Sequence, residues 1–352
     1  MSNRILATLF GTALLTSLGA CNSSNNNVAL SGAGSTFVNP VMTRWTADFT
    51  QAHPNIRINY QSIGSGGGIE QVKAGTVDFG ASDVALDDQQ LAGMSPVVQI
   101  PETAGPVCIT YNLPGLKQPL HLSGEALAGL FLGTISTWKD PLLARDNPGV
   151  NLPSSPVIIS HRSEGSGTTG IFTTYLSAVS PVWKQKVGAG AAVSWPIGIG
   201  GKGSEGVTGN IRNSTGAIGY VELTYAQQNN LPTAAIKNTA GQYVQPTVPG
   251  TTAAIAAFSR QLTQDPRAPI VNPPASAPDA YPISGLTFLI IPRDGTDKAK
   301  RAALKQFVQY VITDGQATAA TLNYAPLPDE VKQYDQQQLR QMTAAGEPIT
   351  QP

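Results

Sequence analysis

The sequence predicts an α/β fold of two lobes, each with a mostly parallel sheet flanked by helices. Residues 28–81 repeat the order of apolar strand, glycine turn, helix and strand, which is typical of βαβ units. A similar strand–turn–helix pattern recurs at 156–176, and a length of 352 residues suggests two domains. Because ligands of such sheets bind at the carboxyl ends of the strands, we expect the site among these turns.

The composition excludes several classes of protein. Lys plus Arg and Asp plus Glu number 22 each, so no net charge attracts nucleic acid. Charged residues make up 12% beside 36 Gly and 27 Pro, which is typical of a loop-rich globular chain. The histidines, His53, His121 and His161, show no metal-ligand spacing. We therefore expect no nucleic-acid partner, no metal and no cofactor.

Residues 1–21 have the pattern of an export signal. A positive charge precedes an apolar segment, 5–18, that is short for a membrane helix. The signal ends in the sequence LGAC, which resembles a bacterial lipobox, so we expect Cys21 to carry lipid. A plain signal peptide cut near Ala20 is the alternative. The polar run 22–27 is interpreted as a flexible tether.

No later apolar stretch is long enough to cross a membrane, so the lipid is the expected attachment. With Cys21 lipidated, Cys108 has no partner within the chain. It lies in an apolar run, and we expect it to be a buried, unreactive side chain.

The first part of the mature chain predicts two strand–turn–helix units in succession. A strand begins at Val28, and Val41, Trp45 and Phe49 then recur at helical spacing. The second unit is expected as a strand at 56–60, a turn at 64–68, a helix at 69–75 and a strand at 77–81 that ends at Ser82 and Asp83.

The rest of the chain leaves the first lobe and returns to it. A strand at 97–112 leads out, and a Pro/Ala-rich surface connection at 265–282 precedes a strand at 284–291. Leu304, Phe307 and Val311 then share a helical face, and the tail is polar and helical at best. The predicted boundaries are lobe I at 28–112 and 284–352, and lobe II at 113–283.

The turn at 162–168 has the residues of an anion-binding site. It joins an apolar strand to a helix, so free backbone N–H groups and the positive end of the helix dipole meet there. Arg162 supplies a fork of charged donors, and Ser166 and Thr168 add hydroxyls. The alternative is an ordinary capped loop with Arg162 in a surface salt bridge.

Three further turns combine small hydroxyl residues with glycine or charge, at 34–37, 64–68 and 82–83. Three of the four turns open helices. Because they belong to two separable lobes, we expect them to clamp an anionic ligand in the cleft between the lobes.

The chain resembles the periplasmic phosphate-binding proteins of high-affinity phosphate ABC transporters. The resemblance runs in order from about Leu30 to about Val331, through the motifs at 32–37, 63–68, 77–83, 162–168, 195–203, 216–222 and 324–328. It implies a type II periplasmic-binding-protein fold and an extracytoplasmic, monomeric, non-enzymatic receptor. Its expected partners are inorganic phosphate and an ABC permease with its ATPase.

The resemblance also implies a role for each matching residue. Asp83 would accept a hydrogen bond from the ligand, and Glu164, where the family more often has aspartate, would orient Arg162. The donors to the ligand would be Thr36, Phe37, Ser65, Arg162, Ser166, Gly167 and Thr168.

The carboxylate of Asp83 suits phosphate on chemical grounds. Phosphate near neutral pH keeps an O–H that a carboxylate can accept, whereas sulfate has none. A site built around one hydroxyl can reject an analogue without it by roughly 10⁴. The alternative is that Asp83 caps a helix at 84–86.

Other functions stay open at this point. Arsenate shares the proton and geometry of phosphate, and a sensor that docks to a signalling receptor would have the same sequence features. A secreted phosphatase would use Ser65 or Ser166 as nucleophile, but it would need an activating base or metal nearby. The sequence has no adjacent His/Asp/Glu cluster for that role.

Overall fold

The computed structural model of the chain describes residues 27–349. The predicted signal peptide, Cys21 and residues 22–26 of the predicted tether lie outside the described residues. Within this range, no helix combines the length and the apolar character needed to cross a membrane.

Strands and helices alternate along most of the chain. The strands are β1 (Val28–Gly34), β2 (Ile56–Ser62), β3 (Phe79–Ser82), β4 (Val97–Tyr111), β5 (His121–Leu122), β6 (Ile158–Arg162), β7 (Ile199–Gly201), β8 (Ala217–Glu222), β9 (Ala235–Lys237), β10 (Tyr243–Val244), β11 (Ser284–Pro292), β12 (Thr343–Ala344) and β13 (Glu347–Pro348). The helices are α1 (Asn39–Ala52), α2 (Ser65–Lys73), α3 (Asp88–Ala92), α4 (Gly124–Leu132), α5 (Pro141–Asp146), α6 (Gly167–Val179), α7 (Pro181–Lys186), α8 (Gly203–Asn213), α9 (Leu223–Gln228), α10 (Val248–Ala257), α11 (Ser259–Gln264), α12 (Lys298–Ile312), α13 (Gly315–Thr321) and α14 (Asp329–Arg340).

Eight strands form one sheet in the order β2-β1-β3-β11-β4-β8-β6-β7. Strands β2, β1 and β3 are parallel to one another, as are β8, β6 and β7, while β11 and β4 run antiparallel to their neighbours in the middle. The predicted α/β class, with parallel strands flanked by helices, is confirmed. The sheets predicted for the two lobes are continuous with each other.

The long strand β4 sets the direction of the two parallel groups. Its residues 97–106 pair with β11, and residues 107–111 pair with β8. Following the pairings across the sheet, β1 and β3 run towards the β8 side, and β6 and β8 run back towards the β11 side. The carboxyl ends of the two groups therefore face each other, as ligand binding between lobes requires. The boundaries at 112/113 and 283/284 stay a prediction.

Apolar side chains on one face of each long helix cover the sheet. On α1, Val41, Trp45 and Phe49 are buried, as their spacing predicts, and on α12 the predicted face is buried too. Cys108 in β4 is buried and forms no disulfide with any residue between 27 and 349, and burial raises the pKa of its thiol well above its usual range. Its predicted role as an inert core residue agrees with this environment.

The predicted start of the second helix is wrong. The turn predicted at 64–68 is the first turn of a helix, because α2 begins at Ser65 rather than Ile69. The glycines there allow close packing: a Cβ on Gly68 would lie 2.5 Å from the backbone oxygen of Ala33 in β1. Only a residue without a side chain fits so near a strand.

The segment 265–282 is not entirely a surface connection. Tyr281 within it is fully buried, and its hydroxyl donates to the backbone oxygen of Val107 at 3.0 Å. Burial of this aromatic ring ties the end of the segment to the middle of β4. The polar tail, predicted helical at best, forms α14 and then the short hairpin β12–β13.

Candidate functional site

Asp83 is the charged group on the lobe I side of the site. It follows the last residue of β3 and is 3% exposed. It does not cap a helix, because the next helix, α3, is capped by Asp87. One carboxylate oxygen accepts from the Ser35 hydroxyl, and the other accepts from the Thr168 hydroxyl at 2.9 Å. A carboxylate offers about four lone-pair positions, so further donors can still be accepted.

Burial raises the pKa of Asp83, and its hydrogen bonds from Ser35 and Thr168, together with the charge of Arg162, oppose that rise. The desolvation of the carboxylate is therefore compensated only in part by its neighbours. An additional donor, such as a ligand hydroxyl, would improve the environment of this carboxylate.

Arg162 is the charged group on the lobe II side. It is the last residue of β6, is 3% exposed, and its Nη1 donates to the Thr168 hydroxyl at 3.4 Å. Glu164 accepts from Arg162 Nε at 2.8 Å and also from Nη2. The same Glu164 oxygen accepts the N–H of Gly203 at 3.1 Å. The longer side chain of glutamate thus reaches the guanidinium from this position.

The start of α6 supplies the remaining lobe II groups. Ser166 caps the helix, its hydroxyl oxygen accepting from Thr169 N–H at 3.2 Å, which leaves its proton free to donate. Gly167 N–H donates to the Ser65 hydroxyl oxygen at 3.0 Å, across 102 residues of chain. Thr168 bonds both Asp83 and Arg162. This helix start therefore lies directly against the predicted lobe I residues.

Thr36 and Phe37 lie in the loop between β1 and α1. The N–H of Phe37 donates to the Ser35 hydroxyl oxygen at 3.0 Å. The Thr36 hydroxyl accepts from Ser204 N–H at 3.1 Å, and the Thr36 backbone oxygen accepts from the Tyr225 hydroxyl at 2.7 Å. The structure therefore brings both residues to the region between the predicted lobes, where Thr36 bonds to Ser204 and Tyr225 and Phe37 bonds to Ser35.

Sequence reasoning missed two residues of this region, Ser35 and Ser204. Both are fully buried or nearly so, and both bond predicted site residues, Asp83 and Thr36. The sequence contains a signal for Ser204. Gly203 and Ser204 follow strand β7 and stand at the start of helix α8, just as Gly64 and Ser65 follow strand β2 and stand at the start of helix α2. Ser35 was passed over although it directly precedes Thr36.

The combined groups suit a tetrahedral oxyanion that keeps a proton. One guanidinium, several hydroxyls and helix-terminal N–H groups can donate, and one carboxylate can accept. The His161 ring stacks on Trp195 at a centroid distance of 4.8 Å, and its Nδ1 lies 2.9 Å from the backbone oxygen of Arg162. Between residues 27 and 349 there is no group of three or more His, Cys, Asp or Glu side chains that could hold a metal ion.

Comparison with known proteins decides the family. A family model described as a PBP superfamily domain matches residues 20–315. The phosphate-binding protein PstS of Xylella fastidiosa (strain Temecula1) is 45% identical over 313 residues, which are 88% of this chain and 84% of that protein. The chain belongs to the PstS family of phosphate-binding proteins.

Further PstS relatives agree with this membership. The PstS protein of Pasteurella multocida is 39% identical over 335 residues, covering 95% of this chain and 94% of that protein. The crystal structure of a phosphate-binding protein from Stenotrophomonas maltophilia matches with a TM-score of 0.62 and 18% identity, over 87% of this chain and 92% of that one. At that identity the likeness concerns the fold alone. The predicted family and fold are both confirmed.

Proposed function

We propose that this PstS-family chain binds inorganic phosphate outside the cytoplasm and delivers it to the permease of an ABC transporter. The observation that carries the proposal is the buried cluster of Arg162, Asp83, Thr168 and Ser65, in which groups from distant parts of the chain bond one another. Because donors from both predicted lobes bind the same anion, the anion stabilises the closed form of the cleft. The closed form is then the one that the permease with its ATPase recognises.

The proposed ligand set is Thr36, Phe37, Ser65, Asp83, Arg162, Ser166, Gly167 and Thr168, with Glu164 in support. Asp83 receives the phosphate O–H, while the guanidinium and the N–H groups at the start of α6 bind the other oxygens. Glu164 holds the guanidinium plane through Nε and Nη2, which aims the remaining Arg162 nitrogen at Thr168 and the ligand.

Titration of the ligand-stripped protein tests this function. We expect phosphate and arsenate to bind with saturable heat in calorimetry, and sulfate to bind at least about 10³ times more weakly. Arg162→Lys should weaken phosphate binding about ten- to hundred-fold because a lysine cannot present two parallel donors. Arg145→Lys, in an exposed pair with Glu125, is the matched control. Equal affinity for sulfate and phosphate contradicts the proposal.

The proposal includes no chemical step on the ligand. Ser65 Oγ accepts the N–H groups of Gly167 and Asp83, and Ser166 Oγ caps α6, so both hydroxyls are engaged with backbone donors. An activated nucleophile would instead bond a general base. Purified protein should therefore release no product from a chromogenic phosphate ester, and turnover that disappears in Ser166→Ala would identify an enzyme.

We further propose that Cys21 is lipidated and anchors the protein to the membrane. The support is the LGAC sequence at the end of an apolar signal segment. Mass spectrometry of the full-length protein expressed in a bacterium should show acyl chains on Cys21. Cys21→Ser should move the protein from the membrane fraction to the soluble fraction, and an unchanged distribution contradicts the anchor.

A further inference from the structure

Glu102 occupies an irregular position in β4, two strands away from Asp83. Ser82, the last residue of β3, pairs with Phe288 on β11, so Asp83, which directly follows β3, comes at the level of Thr287 along the sheet. Thr287 in turn pairs with Thr103, while Phe288 pairs with Pro101, which leaves Glu102 as the extra residue of a β-bulge. Asp83, Thr287 and the bulge therefore form one row across three strands. Two strand spacings place the backbones of Asp83 and Glu102 about 10 Å apart.

The Glu102 side chain is fully buried, and neither carboxyl oxygen has a hydrogen-bond partner among the described residues. Gln316 Nε2 donates to the backbone oxygen of Glu102, and the Thr287 hydroxyl lies close to the Glu102 carboxyl group, although it donates to Thr103 O at 3.4 Å. Burial raises the pKa of Glu102 to about 8, the negative charge of Asp83 adds to the rise, and the hydroxyl of Thr287 opposes it. Such surroundings favour the neutral form of a carboxyl group.

We propose that Glu102 is a second acidic determinant of anion binding: the site holds phosphate while Glu102 is uncharged and loses affinity when Glu102 ionises. The inference rests on the proposed phosphate function. Strand β11 carries uncharged Thr287 between Glu102 and Asp83, so no positive charge on that strand separates the two acids. An ionised Glu102 adds a negative charge behind Asp83, which repels an anion held in front of it.

The ionisable groups that face Glu102 are few among the described residues. Asp83 approaches from β3, and Tyr60 from β2 has its pKa raised well above 10 by burial and then by the charges of Glu102 and Asp83. Strand β11 presents Thr287 and α13 presents Gln316, both uncharged. Tyr60 stays neutral in the alkaline range, so Glu102 is the group of this row that changes charge there.

The affinity for phosphate should therefore fall as the pH rises through about 8. The anion lies beyond Asp83, so it is farther from Glu102 than the separation of about 10 Å between the two acids. At an effective dielectric constant of about 20, a unit charge about 10–15 Å away changes a binding constant by about five- to ten-fold. Above about pH 8 inorganic phosphate is already the dianion, so its own ionisation adds little to the change.

Calorimetric titration of the ligand-stripped protein with phosphate at about pH 7, 8 and 9.5 tests the inference. The wild type should lose about five- to ten-fold in affinity across this range, and Glu102→Gln, a neutral isostere, should lose less than about two-fold. Glu222→Gln is the matched control, because Glu222 is also a buried strand acid whose pKa burial raises to about 8. It should keep the wild-type loss. Circular dichroism at each pH verifies that every variant is folded.

Two outcomes separate the inference from the function it rests on. Binding at about pH 7 with the same alkaline loss in Glu102→Gln and wild type overturns the role of Glu102 alone. No phosphate binding by any variant at about pH 7 overturns the proposed function and this inference together. Infrared difference spectra of wild type minus Glu102→Gln provide a readout without phosphate: they should contain a protonated-carboxyl band at pH 7 that disappears by about pH 9.5. Absence of that band at pH 7 also overturns the inference.

Discussion

Asp83 illustrates how one side chain sets the chemistry of the site. It is buried beside a guanidinium, and hydroxyls from Ser35 and Thr168 donate to it. The sequence alone places it at the end of a strand and leaves a helix cap as the alternative reading. The structure places it away from any helix start, and its neighbours come from residues far along the chain.

Replacement of Asp83 by asparagine should relax the selectivity of the site. The amide can donate to a sulfate oxygen, and its carbonyl oxygen can still accept a phosphate hydroxyl. We expect the preference for phosphate over sulfate to fall from roughly 10⁴ to within about ten-fold. Calorimetry with both anions measures this ratio.

Asp87→Asn is the control for this change, because asparagine still caps α3 and lies outside the cluster. It should leave both affinities unchanged. Undiminished discrimination in Asp83→Asn would remove Asp83 from the proposed selectivity mechanism.

At the scale of the element, helix starts bring the backbone of predicted lobe II against that of predicted lobe I. Gly167 begins α6, and a Cβ there would lie 2.5 Å from Asp83 N and 2.7 Å from Ser65 Oγ. Gly66 N–H in α2 likewise donates to Gly165 O at 3.0 Å. These approaches require glycine because contact is made by backbone, not by flexible side chains.

Gly167→Ala should hinder closure without unfolding either lobe. The added methyl group meets Asp83 and Ser65 of the opposite lobe, and overpacking of this size costs about 1–3 kcal/mol. Phosphate affinity should fall about ten- to hundred-fold in calorimetry, with little change in melting temperature in the absence of phosphate.

Gly209→Ala is the matched helix variant, since a Cβ at Gly209 in α8 would have no atom within 4 Å. It should bind as the wild type does. Wild-type affinity in Gly167→Ala would mean that the lobes do not approach this closely when phosphate is bound.

Helix α9 contributes a second interlobe contact through Tyr225. Its hydroxyl donates to Thr36 O at 2.7 Å and lies 2.9 Å from Glu205 Oε1. Tyr225→Phe leaves a buried carbonyl oxygen without this donor, which costs about 1–3 kcal/mol. We expect roughly ten-fold weaker phosphate binding and faster release in stopped-flow measurements. Tyr310→Phe on α12 is the control, and an equal effect of both changes would indicate general destabilisation.

For the whole molecule, buried acids shape the dependence of stability on pH. Burial raises the pKa of Glu102 and Glu222 to about 8 and that of Asp335 to about 9. Below about pH 4 the folded and unfolded chains both hold these protons. As the pH rises, the unfolded chain ionises first, so the free energy of unfolding decreases until the folded-state pKa is reached.

Thermal melts should therefore show a melting temperature that falls between about pH 5 and pH 8. Asp335→Asn should raise the free energy of unfolding at pH 7 by about 2–4 kcal/mol, because the amide cannot ionise and so removes the ionisation that stabilises the unfolded chain at this pH. Glu330→Gln, exposed on the same helix, should change it by less than about 0.5 kcal/mol. A destabilised Asp335→Asn would contradict this account.

The local pattern of the sequence was sufficient for the longer elements and for the turns that carry the candidate site residues. Apolar patterns predict β1, α1, β4, β11 and α12. Small residues at strand ends marked the turns around Ser65, Asp83 and Arg162, because strand direction alone brings such turns to one side of a sheet. The start of α2 was missed because glycines at 64–68 resemble a turn when the packing that requires them is unseen.

What only the tertiary structure decided is which distant groups meet. Strand order and register decide three of these arrangements. The Ser35 hydroxyl bonds Asp83, the Ser204 hydroxyl bonds Thr36, and the Glu102 bulge lies two strands from Asp83. No local property of the sequence encodes register across strands separated by up to about two hundred residues. The chain sequence thus determined the chemistry available at each turn, and folding determined how those groups combine, because long-range packing sets both burial and neighbouring charge.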